Sequence, residues 1–242
     1  MRVPSAVELI GAWERGAAQH PVDRALTLLA AAHPEVTFAE LATMSIGRRD
    51  AALFALRRAL FGARLDCFAL CPRCDARLEF KLDTRELSAR VGGEDEAAEF
   101  ELAHLGVRVR PPNSLDLAAA AVASDLTAGK RLLLQRCILP AQDGGVASVV
   151  DEWSENDVRA VAEKLSRTEA PADVSLDVTC AACGHTWQLG FDIGSFLWSE
   201  VSALARRHLL DVHTLARAYG WSEADILAMS PARRQFYIES VS

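Results

Sequence analysis

Two cysteine pairs constrain this chain more than any other feature. The first pair lies in "CPRC" (71–74) and the second in "CAAC" (180–183), and apolar and polar residues alternate after each pair. Alternation with a period of two is typical of a half-buried β-strand. The same alternation precedes the second pair at residues 174–179, and residues 63–70 can supply a strand before the first. Each pair is therefore expected at the tip of a β-hairpin.

A Cys-x-x-Cys turn supplies two metal ligands, and two such turns complete a tetrahedral zinc site with Zn–S distances near ~2.3 Å. The pairs are separated by 105 residues. Closing an unstructured loop of roughly a hundred residues costs about 4 kcal/mol, because the cost grows only logarithmically. Structural zinc contributes on the order of 10–16 kcal/mol in small peptides. We therefore predict one structural Zn²⁺ per chain, held by Cys71, Cys74, Cys180 and Cys183.

Other interpretations of the cysteines are weaker. A thioredoxin-type pair needs its first cysteine at the N-terminus of a helix, and neither pair precedes a helical pattern. Structural disulfides require an oxidising compartment. Cys67 and Cys137 are interpreted as small buried apolar residues, with Cys67 as an alternative ligand four residues before Cys71. His185 is expected beside the metal site rather than in its coordination shell.

The composition is that of a folded protein, and its charge disfavours a surface that follows the phosphates of a nucleic acid, although it leaves room for a local basic patch. Half of the 242 residues are hydrophobic, and the formal net charge is −7. Nucleic-acid-binding domains usually carry a basic face, so the acidic total disfavours that class. The N-terminus has no secretory h-region, and no apolar run approaches the roughly 18 residues of a membrane helix. A cytoplasmic location is expected.

Helical spacing dominates outside the two alternating regions. The sequence predicts an α+β fold: a helical body, a split zinc ribbon of two β-hairpin knuckles, and a helical C-terminal segment. The predicted regions are an N-terminal helical region (1–62), the first knuckle with a second hairpin (63–110), a helical insertion (111–170), the second knuckle (171–194) and the C-terminal helices (195–242). The acidic stretch "VGGEDEAAE" (91–99) is predicted to be a loop.

Helix boundaries follow from capping patterns. Ser114 and Thr127 are predicted to cap two helices before residue 140. Ser154 with Asp157, and Ser222 with Asp225, resemble capping boxes, and Ser230-Pro231 is typical of a helix start. Gly62 and Gly220 are expected to end helices.

Basic residues concentrate in "RRDAALFALRR" (48–58). Arg48, Arg49, Arg57 and Arg58 fall largely off the apolar face of the predicted helix, which indicates a solvated basic face. This run is the best candidate for contact with nucleic acid, but it contains a single aromatic residue, Phe54, and lacks the series of interleaved aromatic residues that a stacking platform requires.

Catalytic motifs are not evident. The chain lacks a GxxxxGK[ST] phosphate loop, an HExxH zinc motif and a GxSxG nucleophile turn. Four cysteines would also close the coordination shell of zinc, whereas a catalytic zinc keeps one position open. We expect a protein that is not an enzyme.

The C-terminal segments "FDIGSFLWSEV" and "LLDVHTLARAYGWSEADILAMSPARRQFYIE" resemble a known family. It is the family of baseplate proteins of contractile phage tails and tail-like injection systems that includes the T4-type baseplate hub assembly chaperone. Upstream, "LATMSIGRRDAALFALRRALFG", "VRVRPPNSLDLAAA" and "CAACGHTW" occur in matching order, so the resemblance covers the chain from about residue 20. The zinc pairs are not expected in the T-even phage member.

The resemblance implies a non-enzymatic baseplate component or hub assembly factor. Its partners would be other baseplate, hub or spike proteins, and its place would be the bacterial cytoplasm or a phage or tail-like particle. Aromatic residues often anchor interfaces, although they also pack cores. We expect Trp221, Arg233, Arg234 and Tyr237 to contact a partner. The alternative function is a zinc-ribbon regulator or adaptor that binds nucleic acid.

Overall fold

Helices and short antiparallel sheets alternate along the chain. The computed structural model describes residues 1–89, 99–102, 107–139, 153–168 and 174–241. Two units are formed, one from Met1–Glu35 with Gly194–Ser242 and the other from Val36–Ile193. The predicted mixture of helix and sheet is confirmed. The acidic stretch predicted as a loop lies outside the described residues, except for Glu99.

The described elements follow in chain order. The helices are α1 (Ala6–Gly16), α2 (Pro21–Ala32), α3 (Phe38–Thr43), α4 (Ile46–Phe61), α5 (Thr84–Ala89), α6 (Ser114–Ala121), α7 (Leu126–Cys137), α8 (Glu155–Thr168), α9 (Ile193–Tyr219), α10 (Glu223–Ala228) and α11 (Pro231–Val241). The strands are β1 (Arg64–Leu70), β2 (Arg77–Asp83), β3 (Phe100–Leu102), β4 (Val107–Val109), β5 (Ile138–Leu139), β6 (Val174–Thr179) and β7 (Thr186–Phe191).

The first unit is helical and joins both ends of the chain. Ile10 of α1, Ala205 of α9 and Leu227 of α10 form part of its buried core. The indole of Trp198 on α9 lies against Gly16, the last residue of α1, so closely that a Cβ there would overlap the ring. The guanidinium of Arg24 lies 5.1 Å from the centre of the same indole. A small residue at position 16 is thus what lets α1 and α9 approach.

The C-terminal helices begin and end as their capping residues predict. Ser222 accepts a hydrogen bond from the amide of Asp225, and Ser230 accepts one from the amide of Arg233. Gly220 follows α9 with a φ of 70°, a left-handed conformation that glycine adopts without steric cost. The predicted helix boundaries at Ser222, Ser230 and Gly220 are therefore confirmed. They could be predicted because they depend on local backbone conformation and on hydrogen bonds between neighbouring residues.

Helix α4 corrects the prediction of a solvated basic face. Arg49 and Arg57 are buried, with 7% and 3% exposure. Arg49 forms an ion pair with the neighbouring Asp50, and Arg57 donates to the carbonyl of Gly62 at 2.6 Å. Spacing alone could not show these internal partners, which make burial of a guanidinium tolerable.

A buried carboxylate links the three-stranded sheet β3-β4-β5 to helices α6 and α7, which lie between β4 and β5 in the chain. Asp116, at the start of α6, accepts two hydrogen bonds from Arg110 and one from Arg136. Burial raises the pKa of Asp116. The hydrogen bonds from the two arginines and from the amide of Asn113 together have the larger, opposite effect, so the pKa of Asp116 lies below its ordinary value. Two arginines therefore neutralise a carboxylate that is fully buried.

Two predicted caps are wrong by one or two residues. Asn113 rather than Ser114 caps α6, and Asp125 rather than Thr127 caps α7. The sequence does not predict strand β5, because two residues directly after a helix are too few to show alternation.

Candidate metal centre

The first cysteine pair lies in the turn between β1 and β2. The amide of Cys71 donates to the carbonyl of Ala76 at 3.0 Å, and the amide of Asp75 donates to the carbonyl of Cys71 at 2.9 Å. Asp75 has a φ of 55°, the only positive value at a non-glycine residue in the described part of the chain. The two bonds close a tight turn that places Cys71 and Cys74 on the same side.

The second pair repeats this backbone geometry between β6 and β7. The amide of Cys180 donates to the carbonyl of His185 at 2.8 Å, and the amide of Gly184 donates to the carbonyl of Cys180 at 2.9 Å. Gly184, with a φ of 68°, occupies the position that Asp75 holds in the first turn. Phe191, at the end of β7, stacks on Phe54 of α4 with ring centres 6.1 Å apart, which packs the second hairpin on that helix.

The four sulfur atoms converge on one point. They all lie within 4.8 Å of one another. Two sulfur–sulfur contacts join the turns: Cys71 Sγ to Cys183 Sγ and Cys74 Sγ to Cys180 Sγ, each at 3.7 Å. A tetrahedron with Zn–S bonds of ~2.3 Å has edges of about 3.8 Å. The donor set and its spacing therefore fit a metal ion such as zinc, and two segments far apart in sequence supply it.

The two turns affect how readily the cysteine thiols lose their protons. Cys71 and Cys180 are buried, whereas Cys74 and Cys183 are exposed. The backbone amides of Cys183 and Ala182 donate to the Cys180 sulfur and lower the pKa of that thiol to about 7. The amide of His185 lowers the pKa of Cys183, but burial and the neighbouring thiols raise it to about 12. Four thiols packed this closely cannot all ionise unless a cation offsets their charge.

The remaining candidate ligands lie away from this cluster. Cys67 lies on β1 and is half-buried, and the convergent group does not include it. Cys137 is buried in a separate apolar core with Val109 and Trp153. The ring of His185 stacks on Trp187 with centres 5.8 Å apart. Within the described residues the site is thus built from the two cysteine pairs.

Most of the residues predicted to contact a partner gather at the end of the first unit. Tyr219 and Trp221 stack with ring centres 4.4 Å apart, and Tyr237 meets Trp221 edge-on at 4.9 Å. Phe236 packs against Tyr237 and is 63% exposed. We call these four residues the aromatic cluster. Arg233 lies over the ring of Tyr237 at 5.8 Å, so the cluster presents apolar surface and a cation together.

Arg234 does not contribute to this exposed surface, because its guanidinium points into the interior of the first unit. It is 4% exposed, Nε lies 3.4 Å from a carboxylate oxygen of Asp211, and Nη2 lies 3.1 Å from Nδ1 of His208. Burial and the charge of Arg234 lower the pKa of His208. Arg234 in this conformation ties α11 to α9 and offers nothing to a partner.

Within the described ranges no helix is long and apolar enough to cross a membrane. Comparison of the chain with known protein families, with curated proteins and with solved structures finds no match.

Proposed function

We propose that the protein is a non-enzymatic assembly factor or component of the baseplate hub in a contractile phage tail or tail-like injection system. It binds other proteins, and one structural Zn²⁺ in a split zinc ribbon stabilises it. The observation that carries the proposal is the convergence of Cys71, Cys74, Cys180 and Cys183 from two distant hairpins. Four thiolates fill a tetrahedral shell, which is the composition of structural rather than catalytic zinc sites.

The resemblance of the C-terminal segments supports the tail assignment. Those segments contain the aromatic cluster, and exposed Phe236 beside Arg233 has the composition of a protein-binding surface. The alternative of a nucleic-acid-binding regulator loses its best support, because Arg49 and Arg57 are buried and the basic run of α4 is not a continuous surface.

The structural role of the metal is tested with Cys180→Ser. We expect this variant to lose bound zinc and the protection of the β1–β2 and β6–β7 amides from hydrogen exchange, because three ligands do not hold the turns together. Cys67→Ser, a change of the same atoms on β1, is the matched control and should retain one zinc. Full zinc content and protection in Cys180→Ser would rule out the shared site.

The tail assignment is tested by affinity capture from cells that express a complete contractile-tail gene cluster with the tagged protein. Hub or spike proteins should co-purify, and Phe236→Ala should lower their recovery at unchanged zinc content. Capture of no tail protein, or retention of the purified protein on DNA with a steep dependence on salt, would favour the alternative.

A further inference from the structure

A cavity of about 740 Å³ lies beside one strand of each hairpin. It is lined by six consecutive residues of β2 (77–82) and five of β6 (175–179). Because successive side chains point to opposite faces of a strand, a lining of consecutive residues indicates that the cavity runs along strand edges. In the described sheets β2 pairs only with β1 and β6 only with β7, so both of these edges lack a partner strand.

The register of the first hairpin identifies the backbone groups at its open edge. Hydrogen bonds join Cys71 to Ala76 at the turn and Ala63 to Thr84 at the other end. Antiparallel pairs alternate between bonded and non-bonded, so the bonded pairs between these two are Ala69–Leu78, Cys67–Phe80 and Leu65–Leu82. The backbone groups of Arg77, Glu79 and Lys81 therefore point away from β1.

The second hairpin follows the same rule. Cys180 bonds to His185, so the alternation continues with bonded pairs Val178–Trp187 and Leu176–Leu189. The outward groups of β6 belong to Ser175, Asp177 and Thr179. The first hairpin presents the stronger recognition pattern, because its three outward residues are all charged.

The charges along β2 restrict what can pair with it. Arg77, Glu79 and Lys81 are exposed and alternate in sign, with an ion pair of 3.1 Å between Arg77 and Glu79. A second copy of β2, paired antiparallel over all three residues, would place Arg77 opposite Lys81 and Glu79 opposite Glu79. Like charges directly opposite each other destabilise a strand pair. The complementary order is acidic, basic, acidic.

We propose that the open edge of β2 binds an extended segment of another protein, which adds to the hairpin as an antiparallel strand. The segment carries acidic residues opposite Arg77 and Lys81 and a basic residue opposite Glu79. Its intervening residues are apolar, because Leu78 and Phe80 are half-buried on the other face of the hairpin. Main-chain hydrogen bonds supply affinity and the alternate side chains supply specificity. This edge gives the proposed assembly role a defined binding site, and strand addition to it requires neither the tail assignment nor the metal.

The probe is a fluorescein-labelled peptide of the order Thr-Glu-Val-Lys-Val-Glu-Thr, titrated with the full chain and followed by fluorescence polarisation. We expect saturable binding at least fivefold tighter than that of the charge-inverted peptide Thr-Lys-Val-Glu-Val-Lys-Thr. N-methylation of the central Lys amide should weaken binding at least tenfold, because that amide faces Glu79 in the paired strand. The absence of saturable binding, or equal affinity for both charge orders, would overturn the proposal.

A pair of proline variants separates edge pairing from unfolding. Glu79→Pro removes an outward N–H without breaking the β1–β2 ladder and should weaken peptide binding at least tenfold. Glu79→Gln keeps the N–H and should weaken it less. Asp66→Pro makes the same change at the opposite edge of the hairpin and should leave affinity within twofold. Equal loss in both proline variants, or concentration-dependent self-association through β2 without peptide binding, would contradict the proposed site.

Discussion

At the scale of single residues, the candidate metal centre depends on a left-handed backbone position after each cysteine pair. Glycine fills it in the second turn, but Asp75 fills it in the first with a φ of 55°. Aspartate tolerates this region better than most residues, and β-branched or bulky residues tolerate it poorly. The sequence offers a glycine as a signal at position 184 but offers none at position 75, where the requirement is visible only in the structure.

We predict that Gly184→Ala weakens zinc binding and that Asp75→Gly does not. The alanine Cβ costs roughly 1–2 kcal/mol in the left-handed region, which corresponds to a loss of about five- to thirtyfold in affinity. Glycine at position 75 relieves the same strain. Competition with a chromogenic chelator measures both constants. Equal affinities for wild type and Gly184→Ala would show that the turn relaxes without cost.

Asp50 carries a buried carboxylate whose loss of hydration is only partly offset by its neighbours. Its carboxylate is 6% exposed beside Arg49. Burial raises the pKa of Asp50 to about 6, and the charge and hydrogen bond of Arg49 offset only part of that cost. Between about pH 4 and pH 6 the folded protein holds a proton that the unfolded chain has lost. The unfolding free energy therefore falls as pH rises through this interval, by about 3 kcal/mol in all.

Asp50→Asn should remove this pH dependence, because asparagine resembles the protonated acid. We expect the stability of the variant relative to wild type to increase by up to about 3 kcal/mol from pH 4 to pH 7. Hydrogen exchange of the α4 amides over this range gives the two stabilities. A difference that stays constant with pH would contradict a raised pKa at Asp50.

At the scale of elements, local patterns predict most of what is observed. Alternation identified both cysteine hairpins, and serine caps identified the starts of α8, α10 and α11. Where the structure differs from the prediction, contacts within the folded chain explain the difference. Buried Arg49 and Arg57 are stabilised by Asp50 and by a backbone carbonyl, and β5 exists because β4 offers an edge beside it. Neither the burial of these arginines nor the presence of β5 can be recognised from a periodic pattern in the sequence.

The contact of α1 with α9 yields a matched pair of glycine substitutions. Gly16→Ala forces a methyl group into the indole of Trp198 and should lower stability by about 1–3 kcal/mol. Gly11→Ala on the same helix meets only the mobile end of Arg15, at 3.2 Å, and should raise stability by up to about 1 kcal/mol through helix propensity. Thermal unfolding followed by circular dichroism compares them. A stabilising Gly16→Ala would show that the helices separate easily.

At the scale of the whole molecule, one unit takes its strands and cysteines from the middle of the chain, and the other takes its helices from both ends. The sequence predicted that the two cysteine pairs meet, since the metal chemistry of four thiols outweighs the entropy of a long loop. It could not predict which sulfurs of the two turns contact each other or which strand edges stay open. These follow from how the hairpins face each other, which depends on contacts such as that of Phe54 with Phe191.

X-ray absorption at the zinc edge of the purified protein, together with its metal content, tests whether the two cysteine pairs share one zinc ion. We expect one zinc per chain, surrounded by four sulfur atoms at about 2.3 Å and no lighter ligand. A first shell containing nitrogen or oxygen, or a zinc content that is unchanged when both Cys71 and Cys180 are replaced by serine, would contradict it.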